Sequence, residues 1–376
     1  MSDFPAYLRA LIGVAGPQPI ARVMAEALGH PVHGYYMNRD PFGAAGDFIT
    51  APEISQMFGE LIGLWCVATY EQIGAPANIC LIELGPGRGT LMADALRATK
   101  QFSKFRAALD LHLIETSPTL REAQRTTLAD QRIAWHDRLD DVPDGPSLLI
   151  ANEFFDALPI EQLIAAETGW RQRCVALGAD GATFRFVEAD TAPAVLPAWL
   201  PSADRVPIGT IAEYSPAREA MATLIGARLA HFGGAALLID YGHAKSAPGD
   251  TLQAVRAHRT VPALETLGEA DLTAHVDFAG LARAARIQGA TSWGPITQGR
   301  LLTTLGIEAR AARLSAQATP DQASAIDAAL HRLTASHAMG TLFKALALTP
   351  ANAPAPPGFE SVGTTDTPMK AELVHG

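Results

Sequence analysis

The residues of this chain that could do chemistry gather where short apolar runs end. The first run is I-C-L-I-E-L-G-P-G-R-G-T-L, Ile79 to Leu91, in which Ile79 to Glu83 suit a strand buried on both faces. Gly85, Gly87 and Gly89 follow, so backbone N–H groups can approach a nucleotide-like ligand closely, and Thr90 opens a helical pattern behind them. The G-x-G-x-G spacing is tighter than the G-x-G-x-x-G of pyrophosphate-binding folds, and Pro86 removes one donor. Those departures point away from NAD and toward S-adenosylmethionine (SAM), which has no phosphate to cradle. A tight strand-to-helix turn without a ligand is the plainer alternative.

In an open parallel sheet the ligand lies beyond the carboxyl ends of the strands, which makes the other run ends informative. Glu115 closes the second run about thirty residues after the glycine turn, where a carboxylate can accept hydrogen bonds from a ribose diol. An exposed acidic strand end is its structural alternative. His136 and Asp137 close the third and could reach an adenine edge. The fourth run delivers Asn152-Glu153-Phe154-Phe155-Asp156-Ala157-Leu158-Pro159. Here Asn152, Glu153 and Asp156 could orient a cationic nucleophile and take its proton, and the two aromatics could steady a sulfonium or guanidinium. A polar cap on the next segment is the alternative. Asp240-Tyr241-Gly242-His243 and Asp271 to Asp277 are further polar clusters without a diagnostic metal spacing. Substrate contact or loop architecture is expected of both, and no metal site.

These residues need a scaffold to hold them. Helical periodicity over 4–13 and 20–28 precedes an aperiodic, glycine- and aromatic-rich loop, 33–53. Loops of that length are usually functional, and 46–53, with Thr50 as a cofactor contact, is expected to close over the ligand. A long helix is expected from Pro52 through about Ile73, with Met57, Leu61, Leu64 and Ala68 as its core stripe. Strands at 79–83, 111–114, 133–135 and 147–151 alternate with helical segments, which argues a doubly wound α/β sheet. Short strands at 160–165, 171–177 and 183–188 form an antiparallel insertion. A helix at 216–231 and a strand at 235–240 return to the main sheet. The stretch 260–277 is irregular, helices follow at 278–288, 296–305, 307–316 and 320–336, and 343–348 is a last strand. The expected units are 1–78 (helices and lid), 79–153 with 215–350 (cofactor domain), 154–214 (β insertion) and 351–376 (tail).

Composition bounds the partners. The chain has 376 residues and a formal charge of −10, which disfavours general nucleic-acid or anionic-membrane affinity. Cys66, Cys80 and Cys174 are widely spaced in apolar surroundings and read as buried thiols. With no leader pattern in the first residues and no membrane-length apolar run, a cytoplasmic protein is expected, without membrane insertion.

H-G-Y-Y, G-D-F-I-T-A-P-E-I-S-Q-M-F-G-E, I-E-L-G-P-G-R-G-T-L, A-N-E-F-F-D-A-L-P, I-D-Y-G-H and L-T-A-H-V-D-F occur here in that order. Together they resemble the MidA family, class I SAM-dependent methyltransferases that include a mitochondrial complex I assembly factor. The resemblance spans about His33 to Lys344. It implies a Rossmann-like sheet of seven strands whose last is antiparallel, SAM against Gly85, Pro86, Gly87 and Gly89, and its ribose on Glu115. It also implies symmetric dimethylation of an arginine in a protein substrate such as a complex I subunit, with Glu153 as the arginine clamp. The E-x-x-D of Glu153 to Asp156 departs from the paired glutamates of the common arginine methyltransferases. An assembly chaperone that does not depend on catalysis and a nicotinamide-dependent oxidoreductase are the competing functions.

Overall fold

The computed structural model describes residues 4–38, 46–47, 49–190 and 195–360. Its centre is a mixed sheet in which side chains alternate between two cores, as a strand period of two requires. Along β1 (Ile79–Leu84), Ile79 and Leu81 face one core while Cys80, Ile82 and Leu84 face the other. β2 (Leu109–Ile114) and β3 (Ile133–His136) extend the sheet on one side of β1. On the other side lie β4 (Ser147–Asn152), β5 (Gly234–His243) and, beyond them, β6 (Ala290–Thr297) and β7 (Phe343–Pro350). The order is β6-β7-β5-β4-β1-β2-β3, parallel from β5 to β3, with β7 antiparallel to both neighbours. The short strand Val276–Asp277 pairs with the end of β5 as an eighth member.

One core packs the helix Gln56–Gln72 on the sheet through Met57, Phe58, Ile62 and Trp65. The other packs Pro216–Phe232 and Phe278–Ile287 through Ile225, Leu229 and Leu281. A third core joins the helices Phe4–Ala15 and Ile20–Gly29 to the insertion, where Phe4, Leu8 and Met24 meet Val175 and Leu272. The insertion itself is an antiparallel sheet of Glu161–Ala166, Gly169–Leu177, Phe184–Glu188 and Ile211–Tyr214, completed by Gln18–Pro19 from the N-terminal region. All three cysteines are free and buried.

Several expectations need correction. The helix expected from Pro52 is two helices, Ala51–Ile54 and Gln56–Gln72, because Ser55 is extended (φ −161°) and its hydroxyl caps Met57 N–H at 3.2 Å. Leu64 and Ala68 of the proposed stripe are exposed; the buried face is rotated onto Ile62, Trp65 and Cys66. The helix expected at 296–305 starts later: Ile296 and Thr297 end strand β6 (Ala290–Thr297), and Thr297 caps the helix Gln298–Thr304. The pair Gly294-Pro295 hid the alternating burial of that strand. Much of 260–277 is ordered: Arg259–Val261, Gln253–Arg256 and Asp271–Thr273 form a three-stranded sheet. The segment after Pro350 packs as far as it is described, with Phe359 fully buried and Trp65 donating to the Pro357 carbonyl at 3.1 Å. Residues 361–376, which hold the rest of the expected tail, lie outside the described residues, as does Phe48 of the expected lid.

Candidate active site

At the carboxyl ends of β1, β2, β4 and β5 lies a cavity of about 470 Å³, a size that suits a small-molecule ligand. Gly85 and Gly87 stand on one wall with Glu115, and Glu153, Asp156, Tyr241 and Asp271 on the other. A smaller recess of about 40 Å³ adjoins the glycine turn and is bounded by Thr50, Glu53, Glu83, Pro86, Thr90, Asn152 and Glu153.

The glycine turn has no room for side chains. Gly85 has φ +60°, and a Cβ there would stand 2.8 Å from the Phe154 ring. Glu53 holds the turn from outside: its carboxylate accepts from the Thr90 hydroxyl at 2.6 Å and lies 4.0 Å from Arg88. The Thr90 hydroxyl is therefore committed within the protein. Gln124 braces the turn from the helix Pro118–Thr127, donating to Gly87 O at 2.7 Å and to Glu115 Oε2 at 3.3 Å. Trp135 orients that amide by donating to its oxygen at 2.8 Å. Nothing in the sequence around Gln124 marks it; only the fold aims it.

Glu115 is nearly buried, and its Oε1 accepts the Ser117 N–H at 2.8 Å. Burial raises its pKa, while the Ser117 N–H and the Gln124 amide pull it back down. With acceptor positions left over, it can take the hydroxyls of a ribose. Asp137 is placed differently. Its exposed carboxylate pairs with Arg121 at 2.7 Å, and it lies outside the cavity lining. The His136 ring turns to His112, 3.0 Å away, and Thr116 and Leu120 take the lining position beside Glu115.

Two buried acceptors in the recess have no partner. Glu83 Oε2 and Asn152 Oδ1 make no hydrogen bond within the protein. Burial pushes the Glu83 carboxyl up to about 8. A bound ammonium would satisfy both groups and draw the Glu83 proton off. Glu83 is thus a functional candidate whose one signal was a lone charge in an apolar strand. SAM carries an ammonium at its amino-acid end, a ribose diol and no phosphate, and so the residues present fit it.

The turn after β4 is held under strain. Glu153 adopts φ +51°, unusual for a residue with a side chain. Its Oε1 accepts from Ala51 N–H at 2.8 Å and from the Asn152 amide at 3.1 Å. Burial pushes its carboxyl up to about 7, against the pull of the Ala51 N–H. Asp156 is buried and likewise raised by desolvation, with the Tyr241 hydroxyl and Arg218 opposing. Asp240 fixes the turn by accepting Phe155 N–H at 3.0 Å and Asp156 N–H at 3.1 Å. Arg218, itself buried, donates to the carbonyls of Asp156, Ala274 and His275 at 2.8, 3.0 and 2.6 Å. It therefore ties the Glu153 turn to the segment carrying Asp271. Among the described residues no cluster of His, Cys, Asp or Glu could hold a metal ion.

The H-G-Y-Y segment closes the remaining side; its tyrosines open a short helix, Tyr35–Asn38, where a loop was expected. Tyr36 donates to Asp271 Oδ1 at 2.7 Å, while its carbonyl accepts from the Ser117 hydroxyl at 2.6 Å. Tyr35 donates to Asp47 Oδ2 at 2.6 Å, and Asp47 Oδ1 accepts from Ala257 N–H at 2.9 Å. Sequence reading flagged this loop as functional without saying which residue reaches the site; the hydrogen bond to Asp271 singles out Tyr36.

Comparison with known proteins agrees with this geometry. A family of S-adenosyl-L-methionine-dependent methyltransferases matches residues 61–296. This chain belongs to that family. A solved member of the COG1565 superfamily from Burkholderia thailandensis, bound to S-adenosyl-homocysteine, is 28% identical with a TM-score of 0.82 and covers 96% of this chain and 95% of its own. The protein arginine methyltransferase NDUFAF7 homolog of Drosophila melanogaster, a mitochondrial protein, is 40% identical over 91% of this chain and 84% of its own length. The human mitochondrial NDUFAF7 is 37% identical over 81% of this chain and 73% of its own length. As a methyltransferase of this family the chain is an enzyme with SAM as its cofactor, which sets the nicotinamide reading aside. The cytoplasmic expectation is also corrected: these curated relatives are mitochondrial. No helix among the described residues is long and apolar enough to cross a membrane.

Proposed function

We propose that this enzyme methylates an arginine side chain of a protein, with a respiratory complex I subunit as the candidate acceptor implied by the sequence resemblance. One observation carries the reading beyond the relatives' names. The large cavity is lined by Glu153, Asp156 and Asp271, and no lysine or arginine of the described residues forms an ion pair with their carboxylates. A guanidinium would supply the missing charge. Bound SAM supplies an electrophilic methyl group on a sulfonium. Gly85, Pro86, Gly87, Gly89, Glu115, Glu83 and Asn152 hold the cofactor, with Thr50 at the edge of the recess.

Glu153 and Asp156 orient the acceptor nitrogen toward that methyl at an attack distance of about 3–3.5 Å. With the methyl supplied by SAM, the acceptor nitrogen would give up a proton, and one of these carboxylates would receive it. Their raised pKa values suit that task near neutral pH. The loop around Asp47 and Thr50 forms the lid over the cofactor, latched by Ala51 on Glu153 and by Glu53 on Thr90. The proposed division is a cofactor domain of 79–153 and 215–350, a β insertion of 154–214 beside the acceptor end, and an N-terminal region whose helix Gln56–Gln72 shares the core of the sheet.

Glu153→Gln tests the reading. It should keep S-adenosyl-homocysteine affinity within about twofold and slow arginine methylation roughly ten- to a hundredfold, the loss of a charge-assisted pair. Mass spectrometry of modified acceptor proteins and calorimetry of the cofactor give the two readouts. Full arginine methylation by this variant would remove Glu153 from the acceptor site.

A further inference from the structure

Asp271 is one of the cavity carboxylates but has no role of its own so far, and Thr273 has none. They stand two positions apart on the strand Asp271–Thr273, on one face of the three-stranded sheet, and both line the large cavity. Asp271 is 5% exposed, and its one side-chain hydrogen bond comes from the Tyr36 hydroxyl. Burial, aided by repulsion from Asp156, pushes its carboxyl up to about 8. Thr273 is 2% exposed, and its hydroxyl, though near Tyr241, has no well-formed hydrogen bond. Arg218 forms no ion pair with Asp271: its terminal nitrogens are given to three backbone carbonyls, and its charge acts through space on Asp156 instead. The cavity therefore presents an uncompensated carboxyl and an unsatisfied hydroxyl beyond the Glu153 turn, with Tyr241, Phe154 and Phe343 along its sides.

The chemistry of that wall selects among cations. A guanidinium is a flat fork with donors on both edges and a face that stacks on aromatic rings. An ammonium is a compact point charge whose three donors diverge. Acceptors on two walls with rings along the sides match the fork. We propose that Asp271, with Thr273 and Tyr36 beside it, is the second wall of the acceptor site and makes it selective for a guanidinium over an ammonium. This rests on the reading of the cavity as an arginine site and adds a residue from another part of the chain to it.

The test uses full-length protein saturated with S-adenosyl-homocysteine, titrated with an acetylated, amidated Gly-Arg-Gly peptide and with its Gly-Lys-Gly counterpart. Wild type should bind the arginine peptide at least tenfold more tightly. Asp271→Asn should lose roughly ten- to a hundredfold of arginine-peptide affinity and most of the preference, with cofactor affinity unchanged. Thr273→Val should lose a few-fold, a second variant that does not touch charge. If wild type prefers arginine and Asp271→Asn keeps that preference in full, the proposal is overturned while the arginine reading stands. If wild type binds neither peptide, or both equally, the arginine reading fails and the proposal with it.

Discussion

The two walls of the cavity are built in opposite ways. The cofactor wall comes from successive strand-to-helix turns, and most of its groups are satisfied locally: Glu115 by Ser117 and Gln124, Thr90 by Glu53. The acceptor wall is assembled from residues far apart in sequence, Tyr36, Glu153, Asp156, Arg218, Tyr241 and Asp271. Its carboxyl groups form no ion pair among the described residues, although the charge of Arg218 acts through space on Asp156. A wall made of consecutive turns can be complete before ligand arrives. A wall holding unpaired charges is complete only when a cation enters, so affinity there is set by the partner.

The largest expected effect tests whether Arg218 is the tie between the segments of the acceptor wall. Arg218→Ala would strand three buried carbonyls, and chemical denaturation should show a loss of roughly 3–5 kcal/mol. A loss under about 1 kcal/mol would mean the acceptor wall is held by packing alone. Next comes the cofactor wall. Gly85→Val combines a left-handed backbone with a clash against Phe154, and should weaken S-adenosyl-homocysteine binding by about 100-fold or more, roughly 2.7 kcal/mol. Calorimetry that shows near-normal affinity would mean the ligand avoids this turn.

The third prediction concerns pH. Asp271 and Glu153 have folded-state pKa values near 8 and 7, above the ordinary carboxylate range. At these two groups the folded protein then holds more protons than the unfolded chain, so their contribution to stability is full below about 4 and is lost as pH rises through about 8. The unliganded protein should therefore melt a few degrees lower at pH 8 than at pH 6. Asp271→Asn should flatten part of that slope, whereas an unchanged slope would mean the carboxyl is already paired. The smallest effect is expected at Asp137. Its pair with Arg121 is exposed, worth less than about 1 kcal/mol, and Asp137→Asn should leave cofactor affinity within about twofold. A large loss would move the adenine end of the site onto this residue.

The sequence showed the cofactor wall better than the acceptor wall for a physical reason. Gly85 to Gly89 and Glu115 are turn and strand-end residues whose neighbours in space are near neighbours in sequence. Glu83 carried a signal too, a charge inside an apolar strand, although its unpaired oxygen became visible only once the surrounding core was in place. Asp137 misled because a strand end predicts position but not the direction of a side chain, and Arg121 draws it outward. Gln124 carried no signal at all. The 260–277 stretch read as irregular because its strands are too short to show a period, so Asp271 could be named only as part of a polar cluster open to substrate contact or loop architecture.

What the sequence alone determined was the local grammar: apolar runs that become parallel strands, a glycine turn that admits a nucleoside, and motif segments that mark the site. Periodicity and backbone freedom are properties of neighbouring residues, and so they survive without coordinates. Only the tertiary structure decided which motifs share a cavity. It set Tyr36 against Asp271, 235 residues away, and put Ala51 on Glu153, 102 residues away. It also buried Asp271 with no ion pair among the described residues, since desolvation arises only when the chain closes around a group.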